Sequence, residues 1–350
     1  VDHPLQVTGP SELIAVIPHV FGFVPEESVV LAPRHGSGPW ARLDQPYGAH
    51  DISEGAAVLA APFLREGVGA ALVCFTTDRE AAEGIHVELA RRFTGRTHLG
   101  PSLWVDAGVW TDLVTGVSGR IDGATRTWAD AELALAGRRM PVASRDELRR
   151  DLEGDSEEVA AVAAHLPAAR VEHQMRQGRG NQQEARWVDM TVGRFLVDQV
   201  PVTPVVAARL LVDMEVLPLR DVAWMAMNSE NAALHMSLWR DLTRRAPHEA
   251  RTPAATLLAF SSWLAGQGAH AWVALDLVPE PRTYSLARIV ESLLEGAIPP
   301  SAWDTVAEQN RTAPASSVLG RAQATRADQP GPSRPYDPGT GRGRPSSPSR

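Results

Sequence analysis

The segment from Gly9 to Leu31, GPSELIAVIPHVFGFVPEESVVL, constrains the fold more than any other stretch of the chain. Leu13, Ile14, Val16, Ile17 and Val20 recur at helical spacing and build one broad apolar face. Ser11 stands before that run and is expected to cap it, its hydroxyl accepting a backbone N–H. Pro18 lacks an amide hydrogen and crowds the preceding turn, so a kink or restart is expected there. Gly22 and Pro25 then stop the helix. Ser28 to Ala32, SVVLA, is short, apolar and β-branched, as a covered strand requires. His19 lies beside the turn; with no partner visible in sequence it reads as a structural histidine.

The same alternation of element types continues. Gly36-Ser37-Gly38-Pro39 marks a turn, and Trp40 to Leu43 (WARL) is expected to return as a hairpin partner of the first strand. Gly55 to Arg65 reads as a helix interrupted near Pro62. Gly69 to Thr76 (GAALVCFT) is the strongest strand, a continuous apolar run entered by glycine. Thr77-Asp78 then caps a helix from Arg79 to Phe93, with Ile85, Leu89 and Phe93 on one face. Ser102 to Val105 and Val109 to Val114 flank Ala107-Gly108 as a second hairpin. This pattern predicts an α/β N-terminal domain, a mixed sheet with flanking helices in two or three layers.

From Trp128 onward the pattern is helical, with short helices and brief loops, which predicts an all-α helical bundle or stack. The expected boundaries are residues 1–125 for the α/β domain and 126–311 for the helical domain. Residues 312–350 form a tail rich in Pro, Gly, Ser and Arg. The tail lacks the apolar surface to offset chain entropy and is expected to be disordered. Trp187, Trp224, Trp239, Trp263 and Trp272 fall in predicted helices. Most are expected as inter-helix core, with one or two left as an anchor for a partner. Arg240, Arg244 and Arg245 beside Trp239 read as a solvated face.

Several classes of chemistry are excluded by composition. Cys74 is the single cysteine, which removes any intramolecular disulfide framework and any multi-cysteine zinc site. The chain contains no lysine, so a Schiff-base enzyme, a standard phosphate-binding P-loop and a standard protein kinase are all excluded in their usual forms. No apolar run approaches the ~18 residues of a membrane-spanning helix. The opening VDHPLQVTGP has no basic flank before an apolar core, so no signal peptide and a cytoplasmic location are expected. The net charge is −8, and the tail from residue 312 carries six arginines against two aspartates. An acidic body with a basic tail argues against nucleic acid as a partner, except for weak contact by the tail.

Motif searches leave no complete catalytic set. His165 and His173 are eight residues apart, ~12 Å of helix rise, too far for one ion. His86-Val87-Glu88 lacks the Pro-Cys-x-x-Cys that a deaminase requires. Gly116-Val117-Ser118-Gly119 lacks the full nucleophile elbow, and Cys74, inside the strongest strand, reads as a buried inert thiol. No metal and no cofactor is expected. What remains is position: ligands of open α/β sheets sit at the carboxyl ends of strands. That nominates Asp44 after WARL, Thr76, Thr77 and Asp78 after the strongest strand, and Asp106 after SLWV. Paired carboxylates there are suited to acid–base work or to holding a divalent cation. The competing reading makes Asp78 a helix cap and Asp44 a turn residue.

PSELIAVIPHVFGFVPEESVVL resembles the opening signature of the actinobacterial "domain of unknown function 4192" family. Ala136 to Leu152 (AGRRMPVASRDELRRDL) is similar to that family's mid-chain segment, and Trp263 to Pro281 (WLAGQGAHAWVALDLVPEP) to its C-terminal helical signature. The resemblance implies a shared fold and carries no activity, cofactor or site residue. Two functional expectations stand together. One is a non-catalytic cytoplasmic interaction or regulatory protein with its partner surface on the helical domain. The other is a small-ligand-binding protein or enzyme using Asp44, Thr77, Asp78 and Asp106.

Overall fold

The computed structural model describes residues 7–34, 38–135, 140–177, 181–279 and 283–304. It opens with α1 (Pro10–Phe21), β1 (Ser28–Pro33), β2 (Ala41–Asp44), α2 (Ala49–Glu66), β3 (Ala70–Phe75) and α3 (Arg79–Phe93). β4 (Leu99–Asp106), β5 (Val109–Asp112) and β6 (Ser118–Arg120) complete one mixed sheet in the order β2-β1-β3-β4-β5-β6. β3 and β4 pair in parallel, joined through α3, and the other neighbours pair antiparallel.

Strand alternation divides the core. Val29, Leu31, Leu72 and Cys74 face α2 and α3, where they meet Leu59, Phe63, Ile85 and Leu89. Val30, Val73, Leu103 and Val105 face the opposite way, onto Ile14 and Ile17 of α1, in a core continuous with the helical region. Both faces of the two central strands are therefore dry, which is why their sequences are continuous runs rather than alternating ones.

Four local expectations change. Gly9, not Ser11, is the cap residue of α1; Ser11 instead accepts from Trp110 Nε1 at 2.9 Å and donates to the Arg120 carbonyl. The helix runs unbroken through Pro18, and α2 likewise through Pro62. In each case tertiary packing outweighs the lost amide bond: Pro62 is itself buried among the residues of α2. β6 has no apolar signature because it is a short edge strand. Its Gly119 is required by Trp110, whose ring atoms lie within 2.5 Å of where a Cβ would stand.

The remainder is helical: α4 (Gly123–Leu135), α5 (Arg145–Arg150), α6 (Ser156–Ala163), α7 (Leu166–Gln177), α8 (Asn181–Asp198), α9 (Pro204–Met214) and α10 (Leu217–Met225). α11 (Ala232–Arg245), α12 (Arg251–Leu264), α13 (Gly268–Leu275) and α14 (Ser285–Glu295) follow. α7 has no counterpart in the sequence reading, because Pro167 stands at its second position, where a missing N–H costs nothing. α12 is buried along its whole length and forms the axis of the region. Trp239, Trp224 and Trp263 are core, as expected, whereas Trp187 and Trp272 are half-buried. Trp224 and Trp303 stack with ring centroids 4.9 Å apart, and Phe260 meets both edge-on. Arg240 and Arg245 are not a solvated face: Arg240 pairs with Asp151, and Arg245 is buried against Asp241 and the Val202 carbonyl. The expected tail from residue 312 lies outside the described residues, as do Gly36 and Ser37 of the first turn.

His235 on α11 is fully buried, and neither ring nitrogen has a hydrogen-bond partner among the described residues. Burial lowers its pKa from 6.5 to about 4. The unfolded chain therefore binds a proton over this range that the folded chain refuses, and stability falls as pH drops from 6.5 toward 4. The cost is about 3 kcal/mol at ~1.4 kcal/mol for each pH unit. Urea unfolding at pH 7.5 and pH ~4.5 checks this: His235→Leu is expected to lose markedly less stability between the two than the wild type.

Candidate functional site

The register of the sheet gathers the strand ends on one edge. Ser28 pairs with both Asp44 and Phe75, Phe75 with Val105, and Val109 with Asp106 and Arg120. A cleft of about 610 Å³ opens over the carboxyl ends of β3 and β4. Its walls are the strand ends Phe75 to Thr77 and Val105 to Gly108, the loop Val24 to Glu27, Ile14, Ala15, Pro18 and His19 of α1, and Ile121, Arg126 and Asp130 beyond β6.

Of the nominated residues, Thr76, Thr77 and Asp106 line this cleft. Asp78 does not; its Oδ1 accepts the Ala81 amide at 3.0 Å and caps α3. Asp44 stands outside as well, its side chain 79% exposed and paired with Arg42 at 2.6 Å. Asp78 took the cap role expected of it, Asp44 ends β2 rather than sitting in a turn, and the other three converge.

Glu27 is the carboxylate that sequence reasoning missed. It adopts φ +38°, in the left-handed region that a residue with a Cβ enters at a cost. Three donors hold it there: Thr76 Oγ1 at 2.6 Å, the Thr77 amide at 3.2 Å and the Tyr47 hydroxyl. Burial alone would raise its carboxyl; the hydrogen bonds from Thr76, Tyr47 and Thr77 override that and hold it below its ordinary value. Thr76 is the hub of this rim. It is buried, its hydroxyl also accepts the Asp78 amide at 3.1 Å, and its carbonyl accepts from Trp104 Nε1 at 2.8 Å.

His19, read from the sequence as a structural histidine, has a partner that the sequence did not reveal. Its imidazole is 6% exposed, and Nε2 lies 2.9 Å from Asp130 Oδ1 on α4, 111 residues away. A carboxylate partner at Nε2 fixes the orientation of the ring. Nδ1 is buried without a hydrogen-bond partner among the described residues. The ring also lines a second cavity of about 280 Å³, with Gly22, Arg240 and His270 among its walls. Gly22 is obligatory there: its φ is +79°, and a Cβ would fall 2.3 Å from His270 Cε1.

Ala107 and Gly108 both have positive φ, as a two-residue hairpin turn of the right twist demands. That turn puts Asp106 at the cleft rim, and Arg126 reaches to within 3.9 Å of a Cβ position at Gly108. Neither Asp106 nor Arg126 makes an ion pair or side-chain hydrogen bond among the described residues. No group of three or more His, Cys, Asp or Glu side chains suited to a metal ion is present among those residues. Cys74 is fully buried, and burial pushes its thiol well up, away from nucleophilic use.

A second polar cluster lies between α7, α8 and α9. His173 Nδ1 is 2.8 Å from Asp213 Oδ1, and Glu184 receives Arg209 at 2.7 Å and Arg176 at 3.2 Å. Burial raises the Asp213 carboxyl despite the His173 hydrogen bond. The Arg209 guanidinium covers the Trp187 ring at 3.6 Å. These charged groups pair across the three helices, while Asp213 Oδ2 and Arg209 Nε are buried with no hydrogen-bond partner among the described residues.

The sequence model of one protein family, described as a domain of unknown function (DUF4192), matches residues 10–301. Comparison with curated proteins and with solved structures finds no match.

Because its folded carboxyl sits below the ordinary 4.5, Glu27 adds stability that is fully present above pH 4.5 and is lost as pH falls through the lower folded value. Glu27→Gln is expected to flatten this acid limb. Melting temperature measured from pH 6 down to pH ~3 checks it, with wild type and variant converging at the acid end.

Proposed function

This chain belongs to the DUF4192 family, a domain of unknown function, and we propose that its members' shared fold presents a small-ligand site in the cleft over β3 and β4. One observation carries the reading: Thr76 and Thr77, Asp106, Glu27 and the His19–Asp130 pair come from five separate segments and meet on one concavity. Its volume lies within the few hundred to ~1,000 Å³ typical of small-molecule sites. Ile14, Phe75, Val105 and Ile121 supply the apolar part of the lining, and the polar groups supply orientation. Placement at the carboxyl ends of a parallel strand pair follows the general rule for sheets of this class. The reading assigns binding and no reaction.

A second reading keeps a partner surface on the helical region. Val171 and Met175 on α7 are 55% and 66% exposed at i, i+4 spacing, and Met190 and Val197 on α8 are 65% and 81% exposed at i, i+7. Each pair shares one helix face and lies in water.

Methyl and indole NMR with a neutral fragment mixture separates the two. Ligand binding predicts shifts clustered at Ile14, Val105 and Ile121 that disappear in Thr77→Trp, a bulky change at an exposed rim position. Shifts confined to Val171, Met175, Met190 and Val197 support the partner surface instead, and no shifts at the cleft defeat the ligand site.

A further inference from the structure

The charged groups of the cleft are unequally engaged, and the inequality specifies a ligand. Asp130 is used by His19, and Glu27 is used by Thr76, Thr77 and Tyr47. Asp106 and Arg126 are left without a side-chain partner among the described residues, and both line the cleft, Arg126 close to the β4–β5 turn that follows Asp106. An unpaired guanidinium and an unpaired carboxylate in one concavity are a poor arrangement for a purely cationic or a purely anionic guest. Either one satisfies one group and opposes the other.

We propose that the cleft binds a small amphoteric organic molecule, carrying an ammonium and a carboxylate on an apolar body, with Asp106 taking the ammonium and Arg126 the carboxylate. The proposal rests on the ligand-site reading above and names its substrate class. The apolar body packs on Phe75, Val105 and Ile121. Arg126 suits the carboxylate because a guanidinium offers two parallel N–H donors to a planar acceptor. Glu26 and Glu27 keep the mouth acidic, which favours the ammonium end and rejects guests with two negative charges.

Three probes with one common body test this: L-phenylalanine, 2-phenylethylamine and 3-phenylpropanoate, titrated at pH 7 and read by calorimetry and by the cleft methyl signals. L-phenylalanine is expected to bind at least ~10-fold more tightly than either singly charged probe, the scale of one hydrogen bond to a charged group. Arg126→Gln is expected to bring L-phenylalanine down to the amine, and Asp106→Asn to bring it down to the acid. Both positions are solvent-accessible and unpaired, so circular dichroism and melting temperature are expected to match the wild type. Equal affinity for L-phenylalanine and 2-phenylethylamine, or no effect of Arg126→Gln, overturns the amphoteric assignment. If the neutral fragment mixture occupies the cleft and none of the three charged probes does, the assignment falls while the ligand site stands. If neither does, both fall.

Discussion

The parallel pairing of β3 with β4 is the constraint on which the rest of this structure depends. Two strands that run the same way need a crossover, and α3 supplies it on one face of the sheet. α1 and the helical region cover the other face. β3 is buried along its length except at its carboxyl end, which reaches toward water. The crossover also sends both carboxyl ends to one edge, where the loop before β1 and the β4–β5 turn arrive by register. The cleft is thus a consequence of how the sheet is closed, not an addition to it.

The rim of that cleft shows how a strained backbone is held. Glu27 sits at positive φ because three donors fix its carboxylate, and two of the three come from the segment that ends β3. Removing the turn geometry would cost the hydrogen bonds, and removing the hydrogen bonds would release the turn. The same segment anchors Trp104 and starts α3 through Asp78. Thr76 therefore couples sheet, helix and loop at a single buried hydroxyl and carbonyl.

The helical region uses its indoles differently from a simple apolar core. Trp224, Trp263 and Trp303 each bury a ring and still place the N–H on an acceptor: the Asp221 carboxylate, the Ile298 carbonyl and the Met227 carbonyl respectively. Each indole thus ties together segments that are close in space, two of the three across more than 30 residues of chain. The chain has no lysine, and arginine is used in kind: in pairs with carboxylates, on carbonyls and over aromatic faces. Arg126 departs from that habit by lining the cleft without a partner among the described residues.

The sequence by itself determined the elements and their broad grouping. The apolar runs at β1 and β3, the Asp78 cap, the Gly22 stop and the Ala107-Gly108 turn are set by local sterics and by hydrophobic period, and these act over a few residues. The prolines at 18, 62 and 167 misled because their effect depends on where each falls in a helix and on what packs against it. β6 and Glu27 were silent for a related reason: Gly119 answers to the Trp110 ring, and Glu27 to donors 20 to 50 residues away. Only the tertiary structure decided the strand order, the His19–Asp130 pair, and which carboxylates face the cleft. Those facts belong to contacts between distant segments, and no local pattern encodes a partner 111 residues along the chain.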